Sequence, residues 1–136
     1  MEITEHSKNK LKKSMADWGV QSPDYFDPIY NYLVYGFNPG SFFTAFMAND
    51  AVKMLSRSHP ANSLKELIAL SKWVLNHLVD TPAFGSYEKV ELWCSLDSEK
   101  RREILETKGL IFTDAQEILL ILKGTPTHSP FFEDNI

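Results

Sequence analysis

Tyr35-Gly36-Phe37-Asn38-Pro39-Gly40-Ser41-Phe42-Phe43-Thr44-Ala45-Phe46-Met47-Ala48-Asn49-Asp50 is the stretch from which the fold is read. Pro39-Gly40 favours a tight turn, because proline fixes its own φ and glycine accepts a positive one. Ser41 stands where an N-cap belongs, its hydroxyl placed to accept from amides two or three residues on. Phe42, Phe43, Ala45, Phe46, Met47 and Ala48 then cover nearly every direction of a helical wheel, and a helix apolar on all sides is a buried one. Further on, Asn49, Asp50, Lys53, Ser56 and Arg57 gather on one side, with Ala51, Val52, Met54 and Leu55 on the other. A central helix over about 41–57 is expected, entering deep and ending at the surface.

The same stretch offers two places for a ligand. Free amides beyond Gly40 could hold an anion, since a helix N-terminus combines unpaired donors with a favourable dipole. No Walker lysine follows, and the glycine spacing is not a dinucleotide fingerprint. Asn49-Asp50 is either a polar pair serving a ligand or a solvated Asp50–Lys53 pair at i,i+3.

At 136 residues the chain has the length of one domain. The net charge is −4, and no basic run of the kind that tracks a phosphate backbone is present. General nucleic-acid binding is therefore not expected. Cys94 is the only cysteine, which excludes an internal disulfide and a cysteine-based zinc cage. The first residues lack the basic-then-apolar pattern of a signal peptide, and no apolar run approaches a membrane span. A cytoplasmic protein with no membrane contact is expected.

Periodicity elsewhere is helical. Leu11, Met15 and Trp18 fall at i, i+4, i+7, with Gly19 placed to end the helix. Asp27 is positioned to cap a short helix with Pro28 at its first position, stopping at Gly36. Ser63 and Glu66 have capping-box spacing before an apolar stripe of Leu64, Leu67, Ile68, Val74, Leu75, Leu78 and Val79. Trp73 stands on the opposite, polar face, where it meets either a second layer of the fold or a partner, tryptophan being a typical contact residue.

Ser86 caps the next helix, with Val90, Trp93 and Cys94 on one side; Cys94 reads as packing, not as an activated nucleophile. The alternating charges of 97–108 predict a solvent-facing helix ending at Gly109. Thr113 opens a last helix, closed by Gly124, whose five aliphatics, 118–122, imply burial in the core or against a sister subunit. The whole is an all-α, single-domain bundle of about six or seven short helices over residues 1–124. An irregular tail, 125–136, carries Phe131 and Phe132 as a candidate docking pair.

No catalytic constellation is visible. The four histidines are scattered without zinc-ligand spacing, and no nucleophile elbow or phosphate loop occurs. Neither a metal nor a cofactor is expected. A hydrolase assembled around Asp50 and His77 is the least favoured reading.

Tyr35-Gly36, Pro39-Gly40-Ser41-Phe42, Asn49-Asp50 and Phe84-Gly85-Ser86-Tyr87-Glu88-Lys89-Val90 with Trp93 together resemble a pattern in small tailed-bacteriophage proteins of unknown function. The resemblance covers roughly residues 35–93 and departs where Phe84 stands in place of tryptophan. It implies a phage accessory protein in the host cytoplasm, of a kind that counters host defence by binding a defence protein or sequestering a nucleotide signal. The residues expected to serve a small anionic or nucleotide ligand are Asn38, Gly40, Ser41, Asn49 and Asp50. Trp73, Phe131 and Phe132 are the candidates for contact with a host protein or a sister subunit, in a chain expected to be a homo-oligomer.

Overall fold

Eight α-helices and no strands make up the regular structure of residues 3–58 and 64–123, the residues described by the computed structural model. In chain order they are α1 (Glu5–Asp17), α2 (Pro23–Tyr35), α3 (Ser41–Met47), α4 (Ala51–Ser56), α5 (Leu64–His77), α6 (Tyr87–Ser95), α7 (Ser98–Thr107) and α8 (Asp114–Leu122). The all-α expectation holds. Gly124, Ser63, the tail 125–136 and its Phe131 and Phe132 lie outside the described residues.

The centre of the fold is α2, of whose residues Tyr25, Phe26, Ile29, Tyr30, Tyr32, Leu33 and Val34 are buried. It starts a turn earlier than expected. Ser22 is the cap, accepting from the Asp24 amide, and Pro23 takes the first turn, so that Tyr25 and Phe26 enter the core. Pro28 therefore falls inside the helix, where it forfeits a bond to the Asp24 carbonyl.

Both polar groups of buried Tyr32 that face the core are paired. Tyr32 Oη donates to the Ala83 carbonyl at 2.7 Å, and Trp93 Nε1 donates to the Tyr32 carbonyl at 3.0 Å. Burial pushes the Tyr32 hydroxyl far above its ordinary pKa, so it remains a donor.

At Gly36, φ is 71°, and a Cβ there would lie 2.8 Å from Arg101 Nη1. That buried guanidinium donates from Nε to the Val34 carbonyl at 3.2 Å and from Nη1 to the Leu96 carbonyl. Both acceptors lie at helix C-termini, where the dipole favours a cation. This explains how an arginine without a carboxylate partner is tolerated in the interior.

The helix expected over 41–57 is two helices, α3 and α4, joined at Ala48-Asn49-Asp50. Asn49 is left-handed, with φ 61°, and is the only non-glycine residue with positive φ among those described. Its amide donates to the Phe46 carbonyl at 3.0 Å, and the Asp50 amide to the Ala45 carbonyl at 2.9 Å. Those nested bonds are the stop that Gly19 and Gly109 also make, in which the next residue bonds back to Met15 and Leu105. Asparagine tolerates the left-handed region, so the chain halts there and Asp50 starts α4 by accepting from the Lys53 amide at 3.2 Å. Ala45, Phe46 and Met47 are buried in α3, whereas α4 has no buried residue.

On α5 the core-facing side is the one that carries Trp73. Trp73 is 0% exposed, donates from Nε1 to Ser14 Oγ at 3.0 Å and stacks on His77 with ring centroids 5.0 Å apart. It meets a second layer, α1, and has no surface left for a partner, so the contact role considered for it is corrected. Leu67, Ala69, Leu70, Val74 and Leu78 join it inside. Leu64, Ile68, Leu75 and Val79, expected inward, are exposed. The helix has two apolar stripes, and packing against α1 and α2 selected the one with the larger ring.

On α7 Leu105 is buried and Ile104 packs against the core, and two charged residues of this otherwise solvent-facing helix enter the interior as well. Besides Arg101, Arg102 is buried. It meets Glu106, Asp114 and Glu117 at 2.9, 2.6 and 2.9 Å. Glu117 of α8 additionally accepts from Thr4 Oγ1 at 2.8 Å and Ser7 Oγ at 2.5 Å. Ser7 Oγ in turn accepts from the Phe112 amide at 3.0 Å. The cluster ties both chain ends of the described body to α7.

Candidate functional site

Turning the chain at Asn49 folds α4 back alongside α3 and opens a cleft between α4 and α5. Phe46, Val74 and Phe84 contribute to its wall, and Asn49, Asp50, Ala51, Met54, Ser71 and Leu75 complete it. Its volume is about 160 Å³. An empty apolar cavity of roughly 150 Å³ accepts one benzene-sized group, which sets the scale for what fits.

The far wall is held in place by the loop after α5. The Gly85 amide donates to the Met47 carbonyl at 2.8 Å, so the C-terminus of α3 is tied to Phe84-Gly85-Ser86. Ser86 Oγ caps α6 by accepting from the Lys89 amide at 3.1 Å. Tyr87, one residue on, donates from Oη to Asp50 Oδ2 at 2.8 Å. The segments 35–50 and 84–93, far apart in the chain, thus meet at one place in the fold.

Asp50 is committed to this framework. The Tyr87 hydroxyl, then the Lys53 amide, hold its carboxyl below the usual carboxylate range, and the same bond raises the Tyr87 hydroxyl. An ionised acid that caps a helix and takes a tyrosine proton donor is poorly suited to act as a general base at neutral pH. His77, the partner considered for it in a hydrolase, packs between Trp18 and Trp73, with Nδ1 donating to the Trp73 carbonyl at 2.7 Å. Asp50 and His77 do not form a dyad.

Asn49 is different. Its side-chain amide makes no hydrogen bond to the described residues, and it stands exposed at the mouth of the cleft. Ser71 hydroxyl is already given to the Leu67 carbonyl at 2.8 Å. The one free polar group of the cleft is therefore a neutral amide.

The other candidate residues lie away from it. Asn38 Oδ1 accepts from the Gly40 amide at 2.8 Å and from Thr44 Oγ1 at 3.2 Å, closing the turn before α3. Gly40, with φ 90°, is the N-cap itself, and Ser41, expected as the cap, is the first helical residue and makes no capping bond. Glycine takes the cap because the backbone there has a positive φ, and α3 begins without a side-chain cap to its first-turn amides, Asn38 bonding the Gly40 amide and the Thr44 hydroxyl instead. Arg57 Nη1 reaches the Ser41 carbonyl at 3.5 Å. Asn49 and Asp50 are brought to the cleft; Asn38, Gly40 and Ser41 are not.

Phe84, Met54 and Leu75 were not singled out from the sequence. The Phe84-Gly85-Ser86 motif was the available signal for the first, and nothing local marks the other two. A second, larger cavity of about 400 Å³ along α7 is lined by Asp97, Glu99, Glu103 and Glu106, with Arg102 already engaged by acids. Among the described residues no group of His, Cys, Asp and Glu could hold a metal ion, and no helix is long and apolar enough to cross a membrane. Compared with family models, with curated proteins and with solved structures, the chain matches none.

Proposed function

We propose that the protein is a non-enzymatic binding protein whose α4–α5 cleft takes an apolar side chain of a partner protein. The observation that carries this is the setting of the cleft. Phe46 and Phe84 line it together with Met54 and Leu75, and the two helices that form it also carry the exposed apolar residues Leu55 and Ile68. An apolar pocket for one anchoring group, ringed by further apolar surface, is the arrangement of a protein-contact hot spot. The resemblance to tailed-phage proteins supplies the setting: an accessory protein in the host cytoplasm whose partner is a host factor, in the manner of an anti-defence protein. Tagged protein should capture that factor from bacterial lysate, and Met54→Glu with Leu75→Glu should abolish capture while leaving the helical content unchanged. Equal capture by the double variant would refute the assignment.

One observation favours a second reading. The free Asn49 amide beside Phe46 and Phe84 suits a planar heterocycle, as in a nucleotide signal, which would present hydrogen-bonding edges to the amide and a face to the rings. Lys53 and Arg57 of α4 are the cations nearest in sequence to its mouth. Thermal-shift titration with linear and cyclic nucleotides tests it, and a melting temperature indifferent to all of them sets it aside.

A further inference from the structure

The last described helix is turned inside out. Of α8, the one buried residue is the acid Glu117, whereas Ile118, Leu119, Ile121 and Leu122 are 55, 55, 61 and 76% exposed. The inversion is fixed by the body of the protein. Glu117 is held by Arg102, Thr4 and Ser7, and Asp114 by Arg102, so α8 cannot roll its aliphatic side inward without stranding a buried arginine. At about 100° per residue the four aliphatics span an arc of roughly 160° that begins about 40° from Glu117 and runs round the far side of the helix.

We propose that this face is a homodimer interface, with α8 of one copy packed antiparallel on α8 of a second across a two-fold axis. Self-complementarity suits such a face, since a two-fold contact needs only that one patch match itself. The charges at its ends agree. Asp114 opens the helix and Lys123 ends it, so antiparallel pairing sets the acid of one copy near the base of the other and opposes the two helix dipoles. The area sets the strength: four aliphatics exposed to this degree present on the order of 450 Å² per copy, about 900 Å² for the pair, which suits a weak, concentration-dependent dimer. This surface is separate from the α4–α5 cleft, so either can fail without the other.

Light scattering coupled to size exclusion on the full chain should give twice the 15.6 kDa of one copy. Replacing both Leu119 and Leu122 by Asp should raise the dimer dissociation constant roughly a hundredfold or more with unchanged helical content, and should remove the concentration dependence of the wild-type melt. In a Cys94→Ser background, Ile118→Cys should oxidise to a covalent dimer, while Leu92→Cys, exposed on α6, should not. A monomeric wild type at high micromolar concentration would overturn the proposal, as would a dimer indifferent to the Asp pair. A monomeric wild type whose Phe131→Asp, Phe132→Asp variant dimerises would also overturn it, and would assign the face to the chain's own end.

Discussion

Replacing Asn49 by glycine should stabilise the fold, and replacing it by alanine should weaken it. The left-handed backbone at this residue, φ 61°, is imposed by the nested bonds from the Asn49 and Asp50 amides to Phe46 and Ala45. Holding an L-residue there costs about 1–2 kcal/mol, less for asparagine than for alanine. Glycine removes that strain but adds about 0.4–1 kcal/mol of unfolded-chain entropy, for a net gain of about 0.5 kcal/mol. Alanine keeps the strain without the local tolerance of asparagine and should lose about 1 kcal/mol. The two variants should thus differ by about 1.5 kcal/mol, or roughly 5 °C in Tm for a domain of this size. Urea denaturation followed by the fluorescence of buried Trp73 and Trp93 measures it directly. If alanine equals or exceeds glycine, the stop between α3 and α4 is not the one described. The glycine variant also removes the only free polar group of the cleft. A protein that becomes more stable and binds less well would show that asparagine is kept at this turn for its side chain.

Two further outcomes follow from the buried charges. Glu117→Ala should destabilise by about 2–3 kcal/mol, because Arg102 loses its buried partner while keeping Glu106 and Asp114, as read from urea midpoints at pH 7. Hydrogen bonds from Ser7 and Thr4 and the charge of Arg102 outweigh burial and hold the Glu117 carboxyl below its ordinary range. Its stabilisation is therefore complete above the unfolded value of about 4.3 and is lost as pH falls through the folded one. The midpoint should drop more between pH 6 and pH 3 in wild type than in Glu117→Gln; parallel losses would dismiss this carboxylate as the cause. Gly36→Ala should cost about 2–4 kcal/mol, combining the strain of φ 71° with displacement of Arg101 from its two carbonyls. A melt within a degree of wild type would contradict that packing.

Most helix ends were legible because they are local chemistry. Gly19, Gly36 and Gly109 stop helices where expected, and Ser86 and Thr113 start them. Asn49-Asp50 carried a readable signal too, an αL-tolerant residue followed by a capping one, but the hydrophobicity of 42–55 outweighed it. What sequence could not decide was which of two stripes on α5 turns inward. Leu75 and Trp73 are both apolar, and only the presence of Ser14 and His77 beside the indole settles the choice. The burial of Arg101 and Arg102 was equally hidden, since apart from the local Glu106 their partners are backbone carbonyls and two acids of α8 brought close only by tertiary structure. The cleft inherits that limit. Asn49 and Asp50 line it as adjacent residues of one turn, while Phe84, Met54 and Leu75 arrive from elements whose mutual placement no spacing reveals.

The two interior arginines answer acid differently. Arg102 depends on carboxylates, which protonation silences one after another, whereas Arg101 clasps carbonyl oxygens that never titrate. Acidification should therefore dismantle the molecule from its ends inward: α8 and the start of α1 come loose first, while α2 stays riveted to α7. Unfolding becomes a sequence with a defined first step, and the Asn49 cleft, built on α3 to α6, outlives the surface that α8 displays.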